Sequence, residues 1–133
     1  MHKPKIHPTA DNLPFWDGCR AHKLRYQACA DCGTVQLIPR SVCTHCHGRQ
    51  LAWRDSAGQG AVLSHTTVYR APTPAFKADT PYVIALVDMD EGFRLMVNVQ
   101  GGKEAPVAIG TRVRIAFEAR GDITVPVAQL EQP

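Results

Sequence analysis

Over most of its second half, the chain alternates apolar and polar residues with the two-residue period of a β-strand. In FRLMVNV, Phe93, Leu95, Val97 and Val99 share one face, while Arg94, Met96 and Asn98 share the other. In TRVRIAFE, Val113, Ile115 and Phe117 form the inward set opposite Arg112, Arg114 and Glu118. With AVLSHTTVYR, PYVIALVDMD and DITVPVAQL, separated by Gly, Pro and Asp, the pattern predicts five strands. Strands that are half polar belong to an antiparallel sheet with one wet face, since a parallel sheet is buried on both sides. Five strands in about 70 residues fit a small closed barrel of OB-fold size, in which closure removes exposed edges.

The first half reads differently. Residues 1–10 carry Pro4 and Pro8 among polar residues and are expected to form a flexible arm. A cap-type residue, Asp11 or Asn12, then opens a predicted helix with Pro14 in its first turn and an apolar stripe of Leu13, Phe15, Trp16 and Cys19. The helix should end near His22, because LRYQA alternates like a strand. Gly33 and Gly48, one after each cysteine pair, stand where a tight turn needs positive φ. The expected division is an arm at 1–10, a helix with a metal ribbon at 11–56, and a barrel at 57–133, a mainly β protein.

Composition narrows the class. The formal net charge of +3 is too small to announce a polyanion partner. The N-terminus is polar and proline-broken, and no stretch approaches the ~20 apolar residues of a membrane span, so no membrane role is expected. Four of the five cysteines stand in tight pairs, which suits metal ligation in a reducing compartment and places the expected protein in the cytoplasm.

Those pairs carry the strongest chemistry. In CADCGTVQLIPRSVCTHC, Cys29, Cys32, Cys43 and Cys46 form two Cys-x-x-Cys knuckles. Zinc takes four thiolates in a tetrahedron, each knuckle supplies two from one loop, and TVQLIPRSV is long enough for a short hairpin that brings the knuckles together. The expected cofactor is therefore one structural zinc ion. A closed four-ligand site has no position for substrate, so no catalytic residue is assigned there. His45 and His47 read as polar residues flanking the last knuckle, and Arg20, Lys23, Arg25, Arg40 and Arg49 as charges that balance the thiolates. Iron in the same four cysteines would instead make an electron carrier.

Other candidates are weaker. Cys19 and His22, three residues apart on the helix, can be drawn as nucleophile and base, or as a buried thiol beside a surface histidine. Ribbon and barrel together raise single-stranded nucleic-acid binding as an alternative function. That role wants exposed aromatics interleaved with Lys and Arg, whereas Phe93 and Phe117 fall on inward sets. Tyr69, Phe76 and Tyr82 remain, around the loop APTPAFKADT. That loop, with Arg70, Phe76, Lys77 and Tyr82, offers an apolar wall and cations to an adenine, a pantetheine or a phosphate.

The order PFWDGCRAHKLRYQACADCG, second knuckle, VYRAPTPAF, PYVIALVDMDEGFRLMVNV and IGTRVRIAFE resembles the acyl-CoA-associated OB-fold proteins with an N-terminal rubredoxin-like zinc ribbon, a former domain-of-unknown-function family. The resemblance runs from about Leu13 to Phe117. It implies an N-terminal helix, a structural zinc and an OB barrel. It also implies a non-catalytic accessory subunit that binds acyl-CoA and joins a partner of thiolase fold, or a related aldolase-like or hydratase-like enzyme.

Overall fold

The computed structural model describes residues 6–71, 73–100 and 107–130. The first five residues of the expected arm lie outside them. Helix α1 spans Leu13–Arg20. Asn12 precedes it without capping it. Its side-chain oxygen instead accepts from the Thr9 N–H at 2.6 Å, and the Leu13 N–H donates to the Thr9 carbonyl at 2.8 Å. At the other end Lys23 N–H reaches the Gly18 carbonyl (2.7 Å) and His22 N–H the Cys19 carbonyl (3.0 Å). This Schellman closure puts His22 in the left-handed region, φ 60°, a position more often held by glycine.

Three short strands follow, β1 (Arg25–Cys29), β2 (Val35–Gln36) and β3 (Leu51–Asp55), in antiparallel order β2-β1-β3. The first knuckle thus sits in the β1–β2 turn, and of the stretch between the knuckles only Val35 and Gln36 are strand. The expected hairpin there is replaced by an irregular segment pinned from β1, as described below. The barrel strands are β4 (Gln59–Val68), β5 (Tyr82–Met89), β6 (Arg94–Gln100), β7 (Arg112–Arg120) and β8 (Ile123–Leu130), closed in the order β4-β5-β6-β8-β7. All neighbours are antiparallel except β6 and β8, whose parallel pair closes the barrel through Val99↔Ala128 and Gln100↔Gln129. A register shift between Val62 and Ser64 bends β4, so that its start pairs with β7 and its length with β5.

Ribbon, helix and barrel share one core. Val83, Ala85, Val87, Leu95, Val97, Val113 and Ile115 fill the barrel, as their alternation predicts, and Leu24, Tyr26 and Ala28 of the ribbon side belong to the same buried cluster. Tyr26 stacks on Phe93 with ring centroids 4.8 Å apart. The apolar face of α1 is used within the chain: Phe15 and Cys19 are buried, and the helix packs on β8 and β1. Phe117 is half-buried and stacks on the His22 ring at 5.4 Å.

The crossing from ribbon to barrel is clamped by Glu91 in the β5–β6 turn. One carboxylate oxygen accepts from Ser56 Oγ and the other from the Ala57 N–H, each at 2.8 Å, and Ser56 Oγ accepts in turn from the Gly58 N–H at 2.9 Å. Glu91→Ala should lower the unfolding free energy by about 0.5–1.5 kcal/mol, because it removes two hydrogen bonds at a tight crossing, one of them from an exposed N–H that water can then take over. Chemical denaturation followed by circular dichroism would measure it, with zinc content unchanged.

Candidate metal centre and ligand-binding face

The four knuckle sulfurs come together as the spacing predicts, all within 4.8 Å of one another. Cys29 and Cys46 Sγ are 3.6 Å apart, as are Cys32 and Cys43 Sγ. A tetrahedron with Zn–S near ~2.3 Å has edges of about 3.8 Å, so these side chains fit one zinc ion with little rearrangement. Backbone amides support the set, His45 N–H donating to Cys43 Sγ and Gly48 N–H to Cys46 Sγ, both at 3.4 Å. Thr34 Oγ1 lies 3.2 Å from Cys32 Sγ, and hydrogen bonding from Thr34 favours the Cys32 thiolate.

Each knuckle turn depends on a left-handed residue. Gly33 has φ 78°, as expected, but in the second knuckle the residue is His47, φ 62°, one place before Gly48. Gly48 gives room instead: a Cβ there would meet Asp31 Oδ2 at 2.7 Å, the end of an exposed side chain that can turn away, and would crowd Cys46 Sγ at 3.2 Å. His45 and His47 are exposed beside the sulfurs. Of the cations expected to balance the thiolates, Lys23 and Arg25 pair with Asp55 on β3, at 3.8 and 3.2 Å.

Behind the metal set lies a buried amide pair with no sequence signature. Gln36 Nε2 donates to Gln27 Oε1 at 2.8 Å. Gln27 also accepts from the Arg40 N–H and donates to the Arg40 carbonyl, both at 3.0 Å, while Gln36 Oε1 accepts from the Thr44 N–H at 3.0 Å. Two amides on β1 and β2 thus hold the irregular segment that carries Cys43 and Cys46 to Cys29 and Cys32. Cys19 is fully buried and its thiol is pushed up to about 12 by desolvation, while His22 is turned onto Phe117. The arrangement fits a structural thiol rather than a nucleophile.

The second candidate region lies where OB barrels commonly bind ligands, on the outer face of their second and third strands and the loops beside it. Here those strands are β5 and β6. Between β4 and β5 the loop forms a 3-10 helix, Pro74–Asp79, closed by Thr80 Oγ1 donating to the Lys77 carbonyl at 2.7 Å. Of the four residues expected to form a site, Phe76 and Tyr82 face each other at 6.5 Å between ring centroids, and Arg70 and Lys77 are exposed on the same loop. A residue absent from the expectation joins them: the Arg120 guanidinium, from the end of β7, lies 5.9 Å over the Phe76 ring. Arg120 also lines a groove of about 290 Å³ between α1 and the β6–β8 part of the barrel, past Phe15, Trp16, Met96, Asn98 and Pro126, with Ile84 contributed by β5.

A four-thiolate ribbon packed on a closed five-stranded barrel defines a zinc-ribbon OB-fold protein. The chain belongs to the ChsH2 (DUF35) family: residues 16–52 match its rubredoxin-like zinc ribbon domain and residues 53–118 its C-terminal OB-fold domain. A chain of the solved Ltp2-ChsH2(DUF35) aldolase is similar, with TM-score 0.82 and 32% identity over 95% of this chain and 98% of that one. The "Probable enoyl-CoA hydratase alpha subunit" of Thermomonospora curvata is 33% identical over 94% of this chain and 39% of its own length. A DUF35 domain-containing scaffold protein of Methanocaldococcus jannaschii is 33% identical over 67% of this chain and 63% of its own length. The chain therefore spans well under half of the hydratase relative and less than two thirds of the scaffold protein. Among the described residues no helix is long and apolar enough to cross a membrane.

Two substitutions test the metal centre. Cys43→Ala should abolish stoichiometric zinc and unfold the ribbon, since metal binding supplies most of the folding free energy of such a module, while the β5 and β6 amides stay protected in hydrogen exchange. Gln36→Leu should keep the four sulfurs yet cost about 1–3 kcal/mol, because it strands the Thr44 N–H and removes one of the two donors to Gln27 Oε1, leaving Gln27 with only its bonds to Arg40. The expected signature is faster zinc release to a chelator.

Proposed function

We propose that this chain is a non-catalytic accessory subunit that binds an acyl-CoA and associates with an acyl-CoA-processing enzyme, of thiolase fold or related, in the cytoplasm. The observation that carries the reading is the convergence of Phe76, Tyr82 and Arg120 at the mouth of an apolar groove, on the face where OB barrels take ligands. Phe76 and Tyr82 give a π surface for an adenine, and Arg70, Lys77 and Arg120 give cations for phosphates.

The company of the relatives supports the same reading. The similar solved chain comes from an aldolase that couples Ltp2 to ChsH2, one relative is named as a hydratase subunit, and another as a scaffold. No catalytic role is assigned to the described residues: the cysteine centre offers no open coordination position, and Cys19 is sealed in the core. Nucleic-acid binding is the weaker alternative, because the outer face of β5–β6 carries a single aromatic, Tyr82, among Ile84, Leu86, Met96 and Asn98, where a run of stacked bases needs several.

Co-expression with an enzyme encoded beside this chain should give a stable complex and restore thioester activity that the enzyme lacks alone. A mixture that neither assembles nor gains activity would sink the proposal. In the isolated chain, Lys77→Ala and Arg70→Ala should each weaken CoA binding about 2- to 5-fold, with a dependence on ionic strength, as expected for exposed phosphate contacts.

A further inference from the structure

The groove beneath α1 is not used by the zinc centre, and nothing described in the chain fills it. We infer that it receives the acyl group of the thioester, so that the loop around Phe76 holds the CoA portion and the groove holds the hydrocarbon. This rests on the acyl-CoA reading above and adds to it the place and chemistry of the acyl site.

The walls of the groove are aliphatic and aromatic. Ile84 and Met96 come from the strand face, Pro126 from β8, and Phe15 and Trp16, set edge to face at 5.0 Å, from the helix. Met96 is 71% exposed, an apolar side chain left in water on a sheet whose other outward positions nearby are half-covered. Such a residue gains from an apolar partner laid over it.

The polar groups the groove presents are complementary to oxygen acceptors. Asn98 contributes an amide and Arg120 a guanidinium that is 25% exposed and only loosely paired with Glu118 at 3.8 Å. The indole Nε1–H of Trp16 also lacks a hydrogen-bond partner among the described residues, but it is closed off from the surface and so is not one of the donors open to a ligand. No carboxylate lines the groove. An apolar body with a carbonyl oxygen matches these donors, whereas a cation or a basic peptide does not.

Size and continuity complete the case. A groove of about 290 Å³ stands at the bottom of the ~300–1,000 Å³ range of ligand pockets, enough for one apolar moiety and too small for a whole acyl-CoA. Arg120 touches both regions, over the Phe76 ring on one side and in the groove wall on the other. A ligand with its nucleotide on the loop would therefore direct its far end into the groove.

Isothermal titration of the zinc-loaded full chain with CoA and with octanoyl-CoA tests the assignment. Octanoyl-CoA should bind at least about tenfold tighter than CoA, the factor supplied by burying about two methylenes. Met96→Glu, at an exposed position where folding is not at stake, should erase that advantage, read as the ratio of octanoyl-CoA to CoA affinity because a carboxylate in the groove wall with Arg120 weakens the CoA portion of both ligands alike. Equal affinities in the unmodified chain, or an advantage that survives Met96→Glu, overturn the groove assignment while the loop reading stands. Binding of neither ligand overturns both. A Met96→Glu chain that loses its partner enzyme but keeps the octanoyl advantage gives the groove to a protein side chain and overturns the inference.

Discussion

An eight-residue helix has no independent stability, and a three-stranded ribbon has one apolar face it cannot cover alone. The structure meets both needs with one core: Phe15 and Cys19 of α1 close over β8 and β1, and Tyr26 of β1 lies on Phe93 at the start of β6. This shared burial orients the ribbon against the barrel and seats the helix on β8 and β1, which leaves the groove between the helix and the β6–β8 part of the sheet. Zinc acts one level down. It fixes the knuckles, which fix β1 and β2, which present Tyr26 to the barrel.

Polar groups make this packing specific. The Gln27–Gln36 pair ties the irregular segment between the knuckles to β1 and β2, and Glu91 ties the crossing strand to the β5–β6 turn. Each satisfies backbone donors that would otherwise be stranded where no strand can pair with them. The metal holds the cysteines, but the amide network decides where the chain between them runs.

Features that depend on neighbours in sequence were legible, and features that depend on distant partners were not. Two Cys-x-x-Cys spacings announce four sulfurs around a metal, and the alternation in FRLMVNV and TRVRIAFE gives the inward sets that fill the barrel. Gly48 shows the limit: a glycine beside a knuckle suggests a left-handed turn, yet His47 takes that conformation, and Gly48 only leaves space beside Cys46 Sγ and the Asp31 carboxylate. The cap at Asn12 fails similarly, because Thr9 offers its side chain a nearer donor. The parallel β6–β8 pair comes from barrel closure, and no local pattern encodes it. Arg120 stands 44 positions after Phe76 in the chain and at a strand end like many others. Only the β7–β8 turn, folded beside the β4–β5 loop, makes it part of the site.

On the proposed reading, the protein is a metal-pinned platform whose binding face lies away from its metal. An amide and indole NMR titration of the isotope-labelled zinc form with an acyl-CoA tests that claim most directly. The account predicts shift changes confined to Phe76, Lys77, Tyr82, Met96, Asn98, Arg120 and the Trp16 indole N–H, with the four cysteines and Gln27 and Gln36 silent. Changes centred on Cys29–Cys46, or none on the β5–β6 face at saturating ligand, would contradict it.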